Sequence, residues 1–256
     1  MSSVISIDVE GDFGTDSLRG VDEVLPRLLD GFDQRGMKAV LFVVGKVAQA
    51  RAALIRNAAE RGHVIGSHSM THAIFSRIDR PQRHAEIADS RRAIEDVTGR
   101  ACDAFRVPYF DATEDLGALL QEAGYRWSSS KAAFSPIAHY RSRRDAKHPH
   151  RLRDSTVVEL PVSSVLGLPM PEGLSYHRLF WPLPAFSKRA PSMFYLHPYE
   201  LLSDASSYGH SRWLRSLFTF RLGEWSQRYL WQRIDGWQRE GATFEPPSPE
   251  ALACVT

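Results

Sequence analysis

Hydrophobic positions along this chain follow two rhythms that take turns. Val4, Ile5, Ile7 and Val9 make an apolar run with Asp8 and Glu10 set into it and Asp12 just beyond. VDEVLPRLLDGFDQRG has helical spacing and closes on Gly36, a residue suited to a left-handed C-cap. KAVLFVVG is a continuous apolar run rich in β-branched residues, the mark of a fully buried strand. AQARAALIRNAAERG predicts a second helix, HVIGSH a short strand, and PQRHAEIADSRRAIEDVTG a helix with Pro81 in its first turn. DAFRVP reads as a strand, TEDLGALLQEAG as a helix and YRWSS as a strand. Residues 131–154 break the rhythm; they are basic and irregular. VVELPVS resumes as a strand, and a Pro-rich loop and SYHRLF lead to MFYLHPYE, a strand with its exit. Residues 211–239 are helical and aromatic.

Alternating strands and helices imply a mostly parallel sheet. Seven strand candidates, with no GxGxxG turn after the first, favour an α/β barrel over a dinucleotide-binding fold. The 256 residues suffice for one large core, and no shift in composition marks a second domain, so residues 1–256 are expected to form a single catalytic domain.

Strand side chains alternate faces, so Asp8 and Glu10 point the same way if the first strand persists that far. Two adjacent carboxylates repel, and burying an unpaired charge is costly. Either the strand end is frayed and the acids are solvated, or something positive sits between them. GSHSMTH places His68 and His72 after another strand in an H-x-x-x-H spacing, which reaches one metal ion if the segment is helical or tightly turned. FRVPYF places Arg106 at a strand exit, and FYLHPYE places His197 at the last one. In an α/β barrel the strand exits share one rim. Taken singly, Arg106 reads as a surface ion pair and His197 as a loop histidine. Taken together, the groups are the inventory of metal-assisted hydrolysis.

The ordered set SIDVEGDF, GSHSMTH, FRVPYF, GYRWSSS and FYLHPYE resembles the polysaccharide deacetylases of the NodB homology type, carbohydrate esterase family 4, over residues 4 to 200. The resemblance implies a distorted (β/α)7 barrel and a single divalent ion, Zn²⁺ or a similar ion such as Co²⁺. It assigns Asp8 as general base, Glu10 with His68 and His72 as metal ligands in a D-x-E branch, and Arg106 as the residue that orients the base. The backbone N–H of Tyr109 becomes the oxyanion donor and His197 the general acid. Pro108, Trp127 and Tyr199, within the same motifs, are the expected substrate contacts. The fourth motif departs from the family: Tyr125-Arg126-Trp127-Ser128-Ser129-Ser130 lacks the carboxylate that tunes the acid, and Asp12 and Glu159 are the candidates to replace it.

The implied activity is removal of an N-acetyl group from an amino sugar of a glycan, glycolipid or precursor. The alternatives are a deformylase or other amidohydrolase, and a non-catalytic membrane- or nucleic-acid-binding protein on the same barrel. A net charge of +2 argues against wholesale nucleic-acid binding. The two cysteines, Cys102 and Cys254, are too few for a disulfide scaffold. No segment approaches the roughly 18–20 apolar residues of a membrane span, and no signal peptide is visible, so a cytoplasmic setting is expected. Arginines and a lysine in 141–153 read first as a solvated loop, and the tryptophans mixed with arginines in 211–239 read first as core-facing; the alternative for the two together is a phosphate- or lipid-linked substrate and peripheral contact with the inner membrane surface.

Overall fold

The computed structural model describes residues 2–132, 148–168, 170–209, 216 and 219–255. Its strands are β1 (Val4–Val9), β2 (Val40–Val43), β3 (Val64–Ser67), β4 (Ala104–Phe105), β5 (Trp127–Ser128), β6 (His150–Arg151), β7 (Val158–Glu159) and β8 (Met193–Leu196). They lie in the order β6-β7-β5-β4-β3-β2-β1-β8. Every pairing is parallel except the β6–β7 hairpin. The seven parallel strands curl round without a full ladder between β7 and β8. Irregular backbone bridges that gap: Ser163 N–H donates to the Met193 carbonyl (3.1 Å), Glu172 N–H to Ser163 (2.7 Å) and Tyr195 N–H to Glu172 (3.0 Å). The expected distorted barrel is the fold, and this irregular stretch is its distortion.

The period of two along each strand sorts side chains into two cores. Ile5, Ile7, Val9, Leu41 and Val43 face outward and pack under the helices. Val4, Val40, Phe42, Ala104, Trp127, Val158, Met193 and Tyr195 face inward and fill the barrel. Gly66 on β3 leaves room for this filling, since a Cβ there would lie 2.9 Å from both Phe42 and Ala104. The inner column is apolar at its lower end and turns polar at the strand exits, where Asp8 and Arg106 are both buried.

The helices on the outside are α1 (Leu25–Asp33), α2 (Gly45–Ala50), α3 (Ala52–Glu60), α4 (Arg80–Thr98), α5 (Leu116–Glu122) and α6 (Leu174–Leu179). The helix read over 48–62 is two helices, α2 and α3, because Arg51 (φ −127°, ψ 40°) breaks the run. α4 starts with a reciprocal cap between Asp79 and Gln82 and stops at Gly99 in the left-handed region, as its sequence requires. No helix among the described residues is long and apolar enough to cross a membrane.

The aromatic tail takes the core-facing one of its two expected arrangements. Its helix, Glu224–Arg239, buries Trp237 at 1% exposure against Phe194, and packs Trp231 on Phe32 and under Arg35. These tryptophans are occupied in closing the outer core. Trp213, and the basic residues of 141–147, lie outside the described residues.

One buried group makes the fold sensitive to acid. His63 accepts the Ala39 N–H at Nδ1 (3.1 Å) and its side chain has no exposed surface. Burial, with the charges of Lys38 and Arg61 beside it, pushes its pKa down to about 4. A histidine depressed in the folded state leaves stability intact above the unfolded value near 6.5 and drains it as pH falls toward 4. The chain is expected to lose roughly 2 kcal/mol between pH 8 and pH 5 through this residue. Urea midpoints at both pH values should fall less in His63→Asn, which keeps an acceptor for Ala39 but does not titrate. Equal losses in parent and variant would remove His63 as the cause.

Candidate metal and catalytic site

A cavity of about 890 Å³ opens at the strand exits, lined by Asp8, Glu10, His68, His72, Tyr109, His197 and Tyr199 among others. The strand ladder sets the inward column. Arg106 N–H donates to Ser67 (2.8 Å) and Ser129 N–H to Phe105 (2.9 Å), so pairing continues past the ends of β3 and β4. Asp8, Arg106 and Ser129 therefore meet at one level.

Arg106 is the positive partner that the β1 acids call for. Its Nη1 lies 2.7 Å from Asp8 Oδ1, with both side chains almost fully buried. Nε donates to the Ser129 carbonyl (2.9 Å) and Nη2 to Ser129 Oγ (2.8 Å), while the Phe42 ring lies 4.2 Å from the guanidinium. Asp8 Oδ1 is thereby committed, and Oδ2 looks across to His197 Nε2 at 3.9 Å.

Glu10, His68 and His72 form a group whose potential ligand atoms all lie within 4.8 Å of one another. Glu10 Oε2 is 3.3 Å from His68 Nε2 and 2.6 Å from His72 Nε2. His68 Nδ1 sits 2.8 Å from the Arg106 carbonyl, which can only accept, so Nδ1 carries the proton and Nε2 keeps its lone pair for a ligand. The H-x-x-x-H segment is a tight turn rather than a helix. Ser69 and His72 both have φ of 63°, Ser69 Oγ accepts the His72 N–H (3.0 Å), and Glu86 from α4 accepts the Met70 and Thr71 N–H groups. Burial alone would raise the Glu10 carboxyl; the charge of His72, the close contacts with His68 and His72, and the charge of His197 hold it well below the usual carboxylate range. One carboxylate and two imidazoles with room beside them suit a divalent ion such as Zn²⁺.

His197 faces this group, with Nε2 3.8 Å from Glu10 Oε1. Behind it stands a residue that the sequence reading missed. Glu200 Oε2 lies 3.5 Å from His197 Nδ1 and accepts the His197 N–H at 2.8 Å. Pro198 starts a single turn of helix, Pro198–Leu201, that brings the carboxylate three residues on back beneath the imidazole. Burial disfavours the imidazolium, but Glu200, Glu10 and Asp8 outweigh it and raise His197 to about 9. The two candidates for this role from sequence do other work. Asp12 holds the Gly20 N–H (2.9 Å) and Ser17 Oγ (2.8 Å), which shapes the loop after β1. Glu159 accepts the Lys131 N–H (2.8 Å), and burial raises its carboxyl. The signal for Glu200 was present in HPYE, as an acid at i+3 from a histidine behind a proline.

The remaining residues divide. Tyr199 stacks on His197 (4.7 Å, 19°) and lines the cavity. Tyr109 is half-exposed over His72 (4.6 Å) and holds a strained left-handed backbone, φ 58°. Trp127 corrects the sequence reading. It pairs with Ala104, one layer below Arg106, and its ring meets Phe42 at 5.8 Å inside the barrel at 3% exposure, outside the lining of the cavity. Pro108 is buried at the start of the turn whose next residues, Tyr109 and Phe110, reach the cavity.

Fold and site together define an α/β barrel with a carboxylate–histidine group that could hold a metal ion and a buried ion pair at its mouth. Residues 13–128 match the family model described as Polysaccharide deacetylase, the family that the motifs resemble. The match includes His68, His72, Arg106 and Tyr109 and leaves out Asp8, Glu10 and His197. A chitooligosaccharide deacetylase from Bradyrhizobium sp. (strain ANU 289) is 33% identical over 100 residues, 39% of this chain and 46% of that protein. A peptidoglycan-N-acetylglucosamine deacetylase from Bacillus cereus is 27% identical over 36% of this chain and 34% of its own length. The chain thus spans less than half the length of these curated relatives. Among solved structures, a carbohydrate esterase family 4 pseudoenzyme from Bacillus anthracis superposes with a TM-score of 0.61 at 12% identity, over 98% of this chain and 65% of its own. That likeness shows the fold.

His68→Ala and His72→Ala are each expected to lose stoichiometric Zn²⁺ or Co²⁺, read by metal analysis after equilibrium dialysis. Retention of one ion per chain in either variant would contradict the ligand assignment.

Proposed function

We propose that this chain is a metal-dependent N-deacetylase acting on an N-acetylated amino sugar. The observation that carries the reading is the convergence in one cavity of Glu10, His68 and His72 with Asp8, held by Arg106, and His197, backed by Glu200. The names of the relatives, which act on chitooligosaccharide and peptidoglycan, support this choice of substrate class.

A divalent ion held by Glu10, His68 and His72 supplies Lewis-acid polarisation of the amide carbonyl and lowers the pKa of water. The chain's own groups do the rest. Asp8 accepts the proton of the attacking water at Oδ2, the oxygen that Arg106 leaves free. Arg106 holds that carboxylate in a fixed orientation, so no rearrangement is needed during proton transfer. The Tyr109 N–H serves the oxyanion that develops on the carbonyl oxygen. His197, charged at neutral pH, donates its Nε2 proton to the leaving amine. Glu200 holds the opposite edge of the imidazole and stabilises its charged form before the donation. Tyr199 presses on the ring face and limits its rotation.

The acyl group is the point on which the deformylase alternative turns, and product analysis separates the two. With Zn²⁺ or Co²⁺ supplied, acetate release from N-acetyl sugars in oligomeric, nucleotide-linked or lipid-linked form is expected, with His197→Ala as the inactive, metal-retaining reference. Formate from N-formyl analogues alone would replace the deacetylase reading, and normal turnover in His197→Ala would refute its acid role. Glu200→Gln is expected to lower kcat roughly 10- to 100-fold with KM and metal content unchanged. A parental kcat in that variant would reduce Glu200 to a structural residue.

A further inference from the structure

Residues 173–199 contain no aspartate or glutamate: the acids Glu172 and Glu200 bracket a stretch whose charged residues are all basic. In its middle the chain turns twice, with Leu183 N–H bonded to the Phe180 carbonyl and Ala185 N–H to Pro182. These turns leave large apolar groups in solvent: Phe180 at 41%, Trp181 at 39%, Leu183 at 37% and Phe186 at 70% exposure. Lys188 and Arg189 follow at once and are exposed. Phe220, 49% exposed, joins this face through Arg221, whose guanidinium lies 4.8 Å from the Phe220 ring and 5.9 Å from Trp181.

The segment is held firmly. Trp181 meets Trp225 and Tyr229 edge-on, at 5.8 and 5.5 Å, and Arg233 donates to the Ser187 carbonyl at 2.6 Å. It also borders the active-site cavity, since Tyr176 and Leu179, immediately before Phe180, line that cavity and Phe180 stacks on Tyr176. Exposing this much apolar surface costs free energy unless something covers it.

We propose that the face formed by Phe180, Trp181, Leu183 and Phe186, rimmed by Lys188, Arg189 and Arg221, docks on an anionic lipid bilayer and sets the cavity mouth at the membrane surface. The chemistry of the face selects the partner. Apolar tips between basic residues match acyl chains below a layer of anionic headgroups. Long basic side chains lie along apolar surface and put their charge at headgroup level. A sugar-binding platform needs polar groups beside its aromatic rings, and here the most exposed side chain is a phenylalanine while Trp181 is engaged with Trp225 and Tyr229. The nearby acid Glu224 is offset by Arg228 at 3.8 Å. This surface differs from the membrane-facing alternative considered for the tail, whose tryptophans described above are packed inward.

The test is co-sedimentation of the purified chain with vesicles of phosphatidylcholine alone and of phosphatidylcholine containing phosphatidylglycerol. Binding to the anionic vesicles is expected, weaker at high salt and weaker on the neutral ones. Leu183→Ser with Phe186→Ser changes no charge and is expected to raise the lipid concentration for half-binding at least tenfold. Phe186→Ser alone, at the most exposed position, provides the variant least able to disturb folding, and thermal melts confirm that both are folded. His72→Ala is expected to bind vesicles like the parent, so failure of the deacetylase reading and failure of this one are told apart. Parental vesicle binding in the folded double variant would overturn the proposal, as would no binding to either vesicle. Loss of affinity for soluble N-acetylglucosamine oligomers in the double variant, with vesicles ignored throughout, would make the face a sugar platform and overturn it too.

Discussion

Arg106 carries a permanent charge at zero exposure in the upper part of the barrel, and its neighbourhood is built to offset that charge. Asp8 supplies the counter-charge from β1, Ser129 supplies a carbonyl and a hydroxyl beyond β5, and the rings of Phe42, Phe110 and Tyr195 surround the guanidinium. The Arg106 carbonyl in turn fixes the tautomer of His68. One buried cation therefore ties the strand exits of β1, β3, β4 and β5 into a single arrangement. Its loss would leave Asp8 buried without a partner, a condition that generally costs several kcal/mol. The same contact that secures the barrel mouth fixes the orientation of Asp8.

The opposite wall is governed by a second carboxylate. Glu200 is fully buried and is held by the His197 N–H, Arg178 and Ser175. Arg178 and Ser175 belong to α6, so the orientation of His197 is linked to the packing of that helix. α6 is also fixed at His177, which sits between Glu172 (2.6 Å) and the Tyr229 hydroxyl (2.9 Å) of the C-terminal helix. The chain beyond β7 thus supports the His197 side of the cavity, while the strands before it and their exits supply the side of Asp8, Glu10, His68 and His72. α6 leads directly into the exposed apolar turn, so cavity wall, support of His197 and outer face share one element.

Much of this was legible in residue order because strand geometry is periodic. Side chains two apart share a face, so Asp8 and Glu10 could be placed together from sequence, and a buried pair demanded a cation. Strand exits share a rim, so His68, Arg106 and His197 could be grouped with them. The limit of the same reasoning is depth. Trp127 is on the inward face as its register requires, yet it sits one layer below the polar rim, and nothing local to YRWSSS distinguishes the layers.

What the sequence by itself determined is the alternation of strand and helix, the inward or outward sense of each strand residue, and the chemical inventory at the strand exits; these follow from short-range periodicity and from the cost of burying charge. Only the tertiary structure decided which acid serves His197, since Asp12, Glu159 and Glu200 are equivalent as letters and differ in what surrounds them. It also decided which aromatics are spent on packing and which stay in solvent. The tryptophans of the C-terminal helix have a core to close against, whereas Phe186 and its neighbours, on a turn outside the barrel, have none.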